Sequence, residues 1–141
     1  DLYRRIVKPR HKRLVQYIRS RTGAKIWYHT CGSCVDFIPE IIDNGADILN
    51  PVQISARNMD PTQLKRRFGK DLAFWGGGVD AQHILPRGTP EEVAANVREN
   101  VRALMPGGGY VFNNCHNIQG EVPPENILAM FDTAYECGFY G

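Results

Sequence analysis

The chain has no apolar run long enough to cross a bilayer and no positively charged, then apolar, leader at its start. Those absences lead us to expect a soluble, cytoplasmic protein with no membrane partner. It also lacks any acid between Arg4 and Lys25, where Arg4, Arg5, Lys8, Arg10, Lys12, Arg13, Arg19, Arg21 and Lys25 supply nine of its 17 basic residues. The net charge of +2 therefore hides a basic start and a mildly acidic remainder. A basic stretch of this kind can hold phosphates or carboxylates, and a solvated helix face has the same composition. Aromatic residues are not interleaved with these cations in the way single-stranded nucleic acid favours, so no nucleic-acid partner is expected. The four cysteines, Cys31 and Cys34 close together with Cys115 and Cys137 remote, do not have the spacing of a secreted disulfide framework, and reduced thiols are expected. No internal repeat is visible, and the start at Asp1 rather than methionine suggests that other sequence precedes it.

What is present is enough for one core. With 141 residues, of which 43% are hydrophobic, the chain suits one domain and is short for two. Leu14, Val15 and Ile18 recur at helical spacing between about Lys8 and Thr22. Lys25 to His29 then has strand character. Ser33 or Asp36 can cap a second helix lined by Phe37, Ile38, Ile41 and Ile42 and ended by Asn44-Gly45. Asp47 to Asn50 is a second strand. A third helix opens at Asp60-Pro61 and closes at Gly69, followed by a strand from Leu72 to Trp75 and a long loop from Gly76 to Gly88. Thr89-Pro90-Glu91-Glu92 is a capping box for a helix reaching Leu104. Gly107-Gly108-Gly109 turns the chain into a fourth strand, Tyr110 to Asn113, and Pro124 begins a last helix ending at Cys137-Gly138.

Strands that alternate with helices imply right-handed crossovers and a parallel sheet. His29 and Cys31, Asn50 and Gln53, Asp80 and His83, and Asn113, Cys115 and His116 all fall at or just beyond the carboxyl end of a strand. That is the ligand face of a (β/α)8 TIM barrel. Such a barrel needs about 250 residues, so four units make half of one. Its inner face must then be covered by a missing half barrel or by a second copy of the chain. A free-standing doubly wound sheet is the competing α/β architecture.

In an extended segment His29 and Cys31 point the same way, because successive side chains alternate between faces. Cys115 can join them if its strand ends nearby. An imidazole and two thiolates around an open position is the pattern of catalytic zinc. Buried cysteines packed as small hydrophobes, and a histidine serving as an ordinary polar group, fit the same letters.

The motifs His29-Thr30-Cys31-Gly32, Gly45-Ala46-Asp47, Gly77-Gly78-Val79-Asp80, Thr89-Pro90-Glu91-Glu92 and Asn113-Asn114-Cys115-His116-Asn117 together resemble the second half of the uroporphyrinogen decarboxylase superfamily. That superfamily also contains corrinoid-dependent methyltransferases. The resemblance runs from about Arg10 to Gly138 and implies the C-terminal half of a TIM barrel, a fragment of a longer protein. In the methyltransferase branch a His-x-Cys pair and a later cysteine hold zinc, and His29, Cys31 and Cys115 match those positions. The activity so implied is methyl transfer to a thiol or similar small-molecule acceptor. The metal lowers the acceptor's pKa, and the methyl group comes from a methyl-corrinoid carried by a separate corrinoid protein. In the decarboxylase branch the position of Cys115 is typically glycine, beside a histidine that matches His116. The porphyrin-binding residues of that branch come mainly from the other half of the barrel. A metal-free decarboxylase and an inactive, self-associating half barrel are the alternative expectations.

Asp80 and His116 are the candidate catalytic groups, although an acid in a glycine-rich loop also suits a turn. Asn50, Gln53 and Asn113 are the candidate substrate-binding residues. Cys31-x-x-Cys34 has the spacing of a redox motif. Gly76 to Gly78 could approach a phosphate, whereas Gly107 to Gly109 lies at the opposite end of its strand.

Overall fold

The computed structural model describes residues 2–140. A π-helical segment, Tyr3–Val7, runs without a break into α1 (Lys8–Arg19), with Pro9 just past the junction, where it can give no amide to the preceding turn. The chain continues through β1 (Trp27–His29), a 3-10 turn (Val35–Phe37), α2 (Ile38–Asp43), β2 (Ile48–Asn50), α3 (Pro61–Phe68) and β3 (Ala73–Trp75). A short α4 (Ile84–Arg87), α5 (Pro90–Leu104), β4 (Tyr110–Val111) and α6 (Pro124–Cys137) complete it.

The four strands form one parallel sheet in the order β1-β2-β3-β4. A doubly wound sheet reverses strand order at a switch point, and no reversal occurs here. The sheet is thus the sequential arc of a barrel, as four strand-helix units require. Its core lies on one side. Leu49 and Phe74, from the middle of β2 and β3, are fully buried against Ile38, Ile41 and Leu64 of α2 and α3. Val79, Leu85, Val93, Val97, Val101 and Met130 make a second cluster under α5 and α6. Strand neighbours of opposite parity face the other way. Trp27 is 50% exposed and Val111 40%, and the rings of Trp27 and Trp75 meet edge to face at 5.9 Å on this open concave side.

Local signals fix most helix ends. Asp60 accepts from the Gln63 amide at 2.7 Å to open α3. Thr89 and Glu92 exchange both bonds of a capping box at 2.8 and 3.3 Å to open α5. The expected cap of α2 differs. Ser33 Oγ donates instead to the Arg57 carbonyl at 2.6 Å, Asp36 lies inside the 3-10 turn, and α2 begins where Pro39 fits its first turn. α4 interrupts what the sequence presents as loop. It is nucleated by Asp80 Oδ1, which accepts from the amides of Gln82 and His83 at 2.8 and 3.0 Å, and is closed by Gly88. Strands are shorter than the apolar runs suggest, because the pairing at their ends becomes irregular. Asp47 and Ile48 both donate to the Ile26 carbonyl, and Asp47 Oδ2 accepts from the Ile26 amide.

Part of the basic stretch is spent on acids within the chain. Arg4 and Lys8 pair with Glu40, Lys8 and Lys12 with Asp43, and Arg19 and Lys25 with Asp47. Hydrogen bonds from Lys8 and Arg4 hold the Glu40 carboxyl below the usual range, and those from Lys8 and Lys12 do the same for Asp43. For Asp47, burial pushes up, but the Ile26 amide and Arg19 outweigh it and leave the group lowered. A carboxyl lowered in the fold contributes stability that is complete above its unfolded value and is lost as the pH falls through the folded one. The protection factors of the α1 amides, taken against the intrinsic exchange rate at each pH, should therefore hold above about pH 5 and fall as the pH drops below about 4, ahead of those in α5. Simultaneous loss in both helices would remove these pairs as the cause.

Candidate functional site

Three parallel strands bring one row of polar groups to the carboxyl rim. His29 ends β1, pairs in register with Asn50 at the end of β2, and Asn50 reaches across to Trp75 at the end of β3. His29 Nδ1 lies 2.7 Å from Asn50 Oδ1, and Asn50 Nδ2 donates to the Trp75 carbonyl at 3.0 Å. On its other side, His29 Nε2 lies 3.7 Å from Cys31 Sγ. The ladder continues one step past the strand, through the Thr30 amide and the Asn50 carbonyl at 2.7 Å, which keeps His29 and Cys31 on the same face.

The turn after Cys31 is held from below. Gly32 adopts φ +83°, and its amide donates to Gln53 Oε1 at 2.7 Å. Cys31 is exposed, whereas Cys34 points into the core, 4% exposed, its Sγ 3.9 Å from Met59 Sδ and its thiol pushed up by burial. The two thiols of Cys31-x-x-Cys34 thus serve opposite sides of the loop.

Beyond β4, Cys115 is half-buried and shares with Cys31 a cleft of about 920 Å³ whose wall also includes Gln53, His83, Asn114 and His116. Burial first, then the negative charge that Cys31 and Asp80 can carry, pushes the Cys115 thiol up to about 11. Asn114 shapes this loop. It is 5% exposed, its Oδ1 accepts from the Cys115 amide at 2.9 Å and its Nδ2 donates to the His116 carbonyl at 2.7 Å. The sequence reading did not single out Asn114 for a role. The signal available was a second asparagine immediately before the cysteine, of a type that bonds to nearby backbone. Asn113 is exposed at the end of the strand, where its carbonyl accepts from Gly78, and the His116 ring is exposed.

Asp80 is engaged in its own turn. Its Oδ2 meets His83 Nδ1 at 3.1 Å while Oδ1 takes two amides. Burial pushes its carboxyl up, but those amides and the His83 ring more than offset it, so it stays below the usual range. The glycines of the β3 loop are there for close packing. A Cβ on Gly78 would lie 2.3 Å from the Phe112 ring, and one on Gly77 2.9 Å from Val52. All three glycines are buried, and no open phosphate cradle forms.

Zinc bonded to nitrogen at about 2.1 Å and sulfur at about 2.3 Å in a tetrahedron sets those donors roughly 3.6 Å apart. The 3.7 Å between His29 Nε2 and Cys31 Sγ fits that spacing. Cys115 supplies the right chemistry from the same cleft, but among the described residues no three histidine, cysteine or acidic side chains stand close enough to hold one ion. His29 and Cys31 stand at that spacing, and Cys115 does not join them in one cluster.

A sequential parallel α/β arc with its polar residues gathered at the carboxyl rim defines part of a barrel protein. The family model for uroporphyrinogen decarboxylase (URO-D) matches residues 1–137, and the chain belongs to that family, whose fold is the TIM barrel. It is 28% identical over 129 residues to a methylated-thiol--coenzyme M methyltransferase of Methanosarcina mazei, covering 92% of this chain and 31% of that protein. It is 33% identical over 78 residues to a uroporphyrinogen decarboxylase of Azoarcus sp., covering 55% of this chain and 21% of that protein. A uroporphyrinogen decarboxylase of Psychromonas ingrahamii is 29% identical over 100 residues, 71% of this chain and 26% of its own length. The chain thus spans less than a third of the curated relatives it matches. Among the described residues no helix is long and apolar enough to cross a membrane.

Exposure orders the thiols for chemistry. With a small alkylating reagent on native protein, Cys31 should be modified first and Cys34 last, at least tenfold apart, as read by peptide mass spectrometry. Equal rates would mean that the Cys34 side chain leaves the core.

Proposed function

We propose that this chain forms the metal-holding part of a zinc-dependent methyltransferase that moves a methyl group from a corrinoid, carried on a partner protein, to a thiol. The observation that supports this reading most is the placement of His29 Nε2 and Cys31 Sγ at 3.7 Å on one rim. The name of the Methanosarcina mazei relative, a methyltransferase between a methylated thiol and coenzyme M, supports methyl-transfer chemistry. His29, Cys31 and Cys115 would hold the metal. When bound, zinc supplies the Lewis acidity that keeps an acceptor thiol ionised near neutral pH. The chain's own residues do the rest. Gln53 and Asn114 fix the two cysteine loops, while His116 offers a polar contact to an acceptor entering the cleft; Asn113, expected to bind substrate, lies outside the cleft wall. Asp80 holds the third loop in place through its turn and its contact with His83.

Purified intact protein should carry zinc. Cys31→Ser, His29→Ala and Cys115→Ser should each lower the bound metal by tenfold or more and abolish methyl transfer from a methyl-corrinoid to a thiol. Full zinc content in Cys115→Ser would take Cys115 out of the site. A metal-free decarboxylase is the second reading, favoured by the 33% identity to the Azoarcus enzyme. Porphyrinogen turnover that persists in chelator would establish it and remove the first.

We also propose that the concave face bearing Trp27, Trp75 and Val111 is covered by the remaining strand-helix units of a barrel. The 141 residues expressed alone should then bind a hydrophobic dye or self-associate, and co-expressed remaining sequence should suppress both. A dye-silent monomer would contradict this.

A further inference from the structure

We infer that Asn50 is a positioning residue that sets the tautomer of His29, so that Nε2 presents a lone pair toward Cys31. This deepens the metal-site reading and rests on it for its functional meaning, although the tautomer itself does not.

The chemistry of three atoms decides the matter. The Trp75 carbonyl can only accept, so the end of the Asn50 amide that meets it at 3.0 Å must be the NH2 group. The opposite end, 2.7 Å from His29 Nδ1, is therefore the amide oxygen, which can also only accept. The proton must then sit on Nδ1. In a neutral imidazole this leaves Nε2 unprotonated, and Nε2 is the atom 3.7 Å from Cys31 Sγ. Asn50 is 4% exposed and is anchored by its own strand pairing to His29, so it cannot rotate away without breaking the row. A substrate-binding role, the sequence expectation for this residue, would need a reach into the cleft. Its two polar ends are turned instead to β1 and β3. A bonded partner on the far nitrogen is how metal-ligating histidines are commonly oriented, and its loss typically costs 10- to 100-fold in metal affinity.

The test uses nitrogen NMR of the His29 ring in the intact, metal-free protein, above the histidine titration range, with His29→Gln to assign the signals. The native ring should show a protonated Nδ1 and an unprotonated Nε2. Asn50→Leu should shift the ring to a mixture or to the Nε2-protonated form and weaken zinc binding, followed by competition with a chromophoric chelator, by about 10- to 100-fold. Asn50→Asp, which keeps an oxygen facing Nδ1 but loses the donor to the Trp75 carbonyl, should hold the native tautomer, and the near-ultraviolet circular dichroism of both variants guards against misfolding. A native ring protonated on Nε2, or an Asn50→Leu ring indistinguishable from native, overturns the inference. The expected tautomer change in a protein that binds no zinc at all upholds the positioning role and sinks the metal reading instead.

Discussion

Parallel pairing in register is the constraint from which the rest follows. Once β1, β2 and β3 share one hydrogen-bonded ladder, every second side chain lines up in a row across the sheet, and the row at its carboxyl end is His29, Asn50 and Trp75. A shift of one residue in β2 would send Asn50 to the helix side and Leu49 into the rim, exchanging a buried apolar contact for a polar one. Because Leu49 is wholly buried among α2 and α3 side chains, hydrophobic packing on one face holds the polar row in place on the other.

The sheet's two faces have different fates. The helix side is a packed core of Val, Ile, Leu and Phe, whose burial contributes at roughly 25 cal/mol per Å². The concave side carries Trp27 and Val111 exposed, with Trp75 beside them. At the carboxyl rim the same concave side becomes polar, and the cleft between the Cys31 and Cys115 loops opens there. The basic first helix adds to the helix-side packing through Glu40, Asp43 and Asp47, which offset part of its charge within the chain.

Much of this was legible from the letters. Helix-strand alternation gave four parallel units, Thr89 to Glu92 and Asp60-Pro61 marked their helices, and strand parity put His29 and Cys31 on one face. What was not legible depends on partners remote in sequence. Asn50 and Gln53 look like ligand-binding amides in isolation, and only the fold turns one toward His29 and the other toward the Gly32 amide. The glycines after β3 looked like a phosphate loop, and the packing of Phe112 and Val52, with the positive φ of Gly76 and Gly77, explains them. α4 escaped notice because its start is written in a side-chain turn at Asp80 rather than in hydrophobic period. How near Cys115 comes to the pair depends on a loop bent by its own asparagine, which no pattern of spacing encodes.

Both indoles of this protein, Trp27 and Trp75, sit ring against ring on the concave side. Its tryptophan emission, excited at the long-wavelength edge where tyrosine hardly absorbs, therefore originates from a single spot on that face, and the helical layer contributes none of it. Any molecule or polypeptide that settles over that surface will alter the colour or intensity of the light, which gives the protein an internal optical gauge without a label.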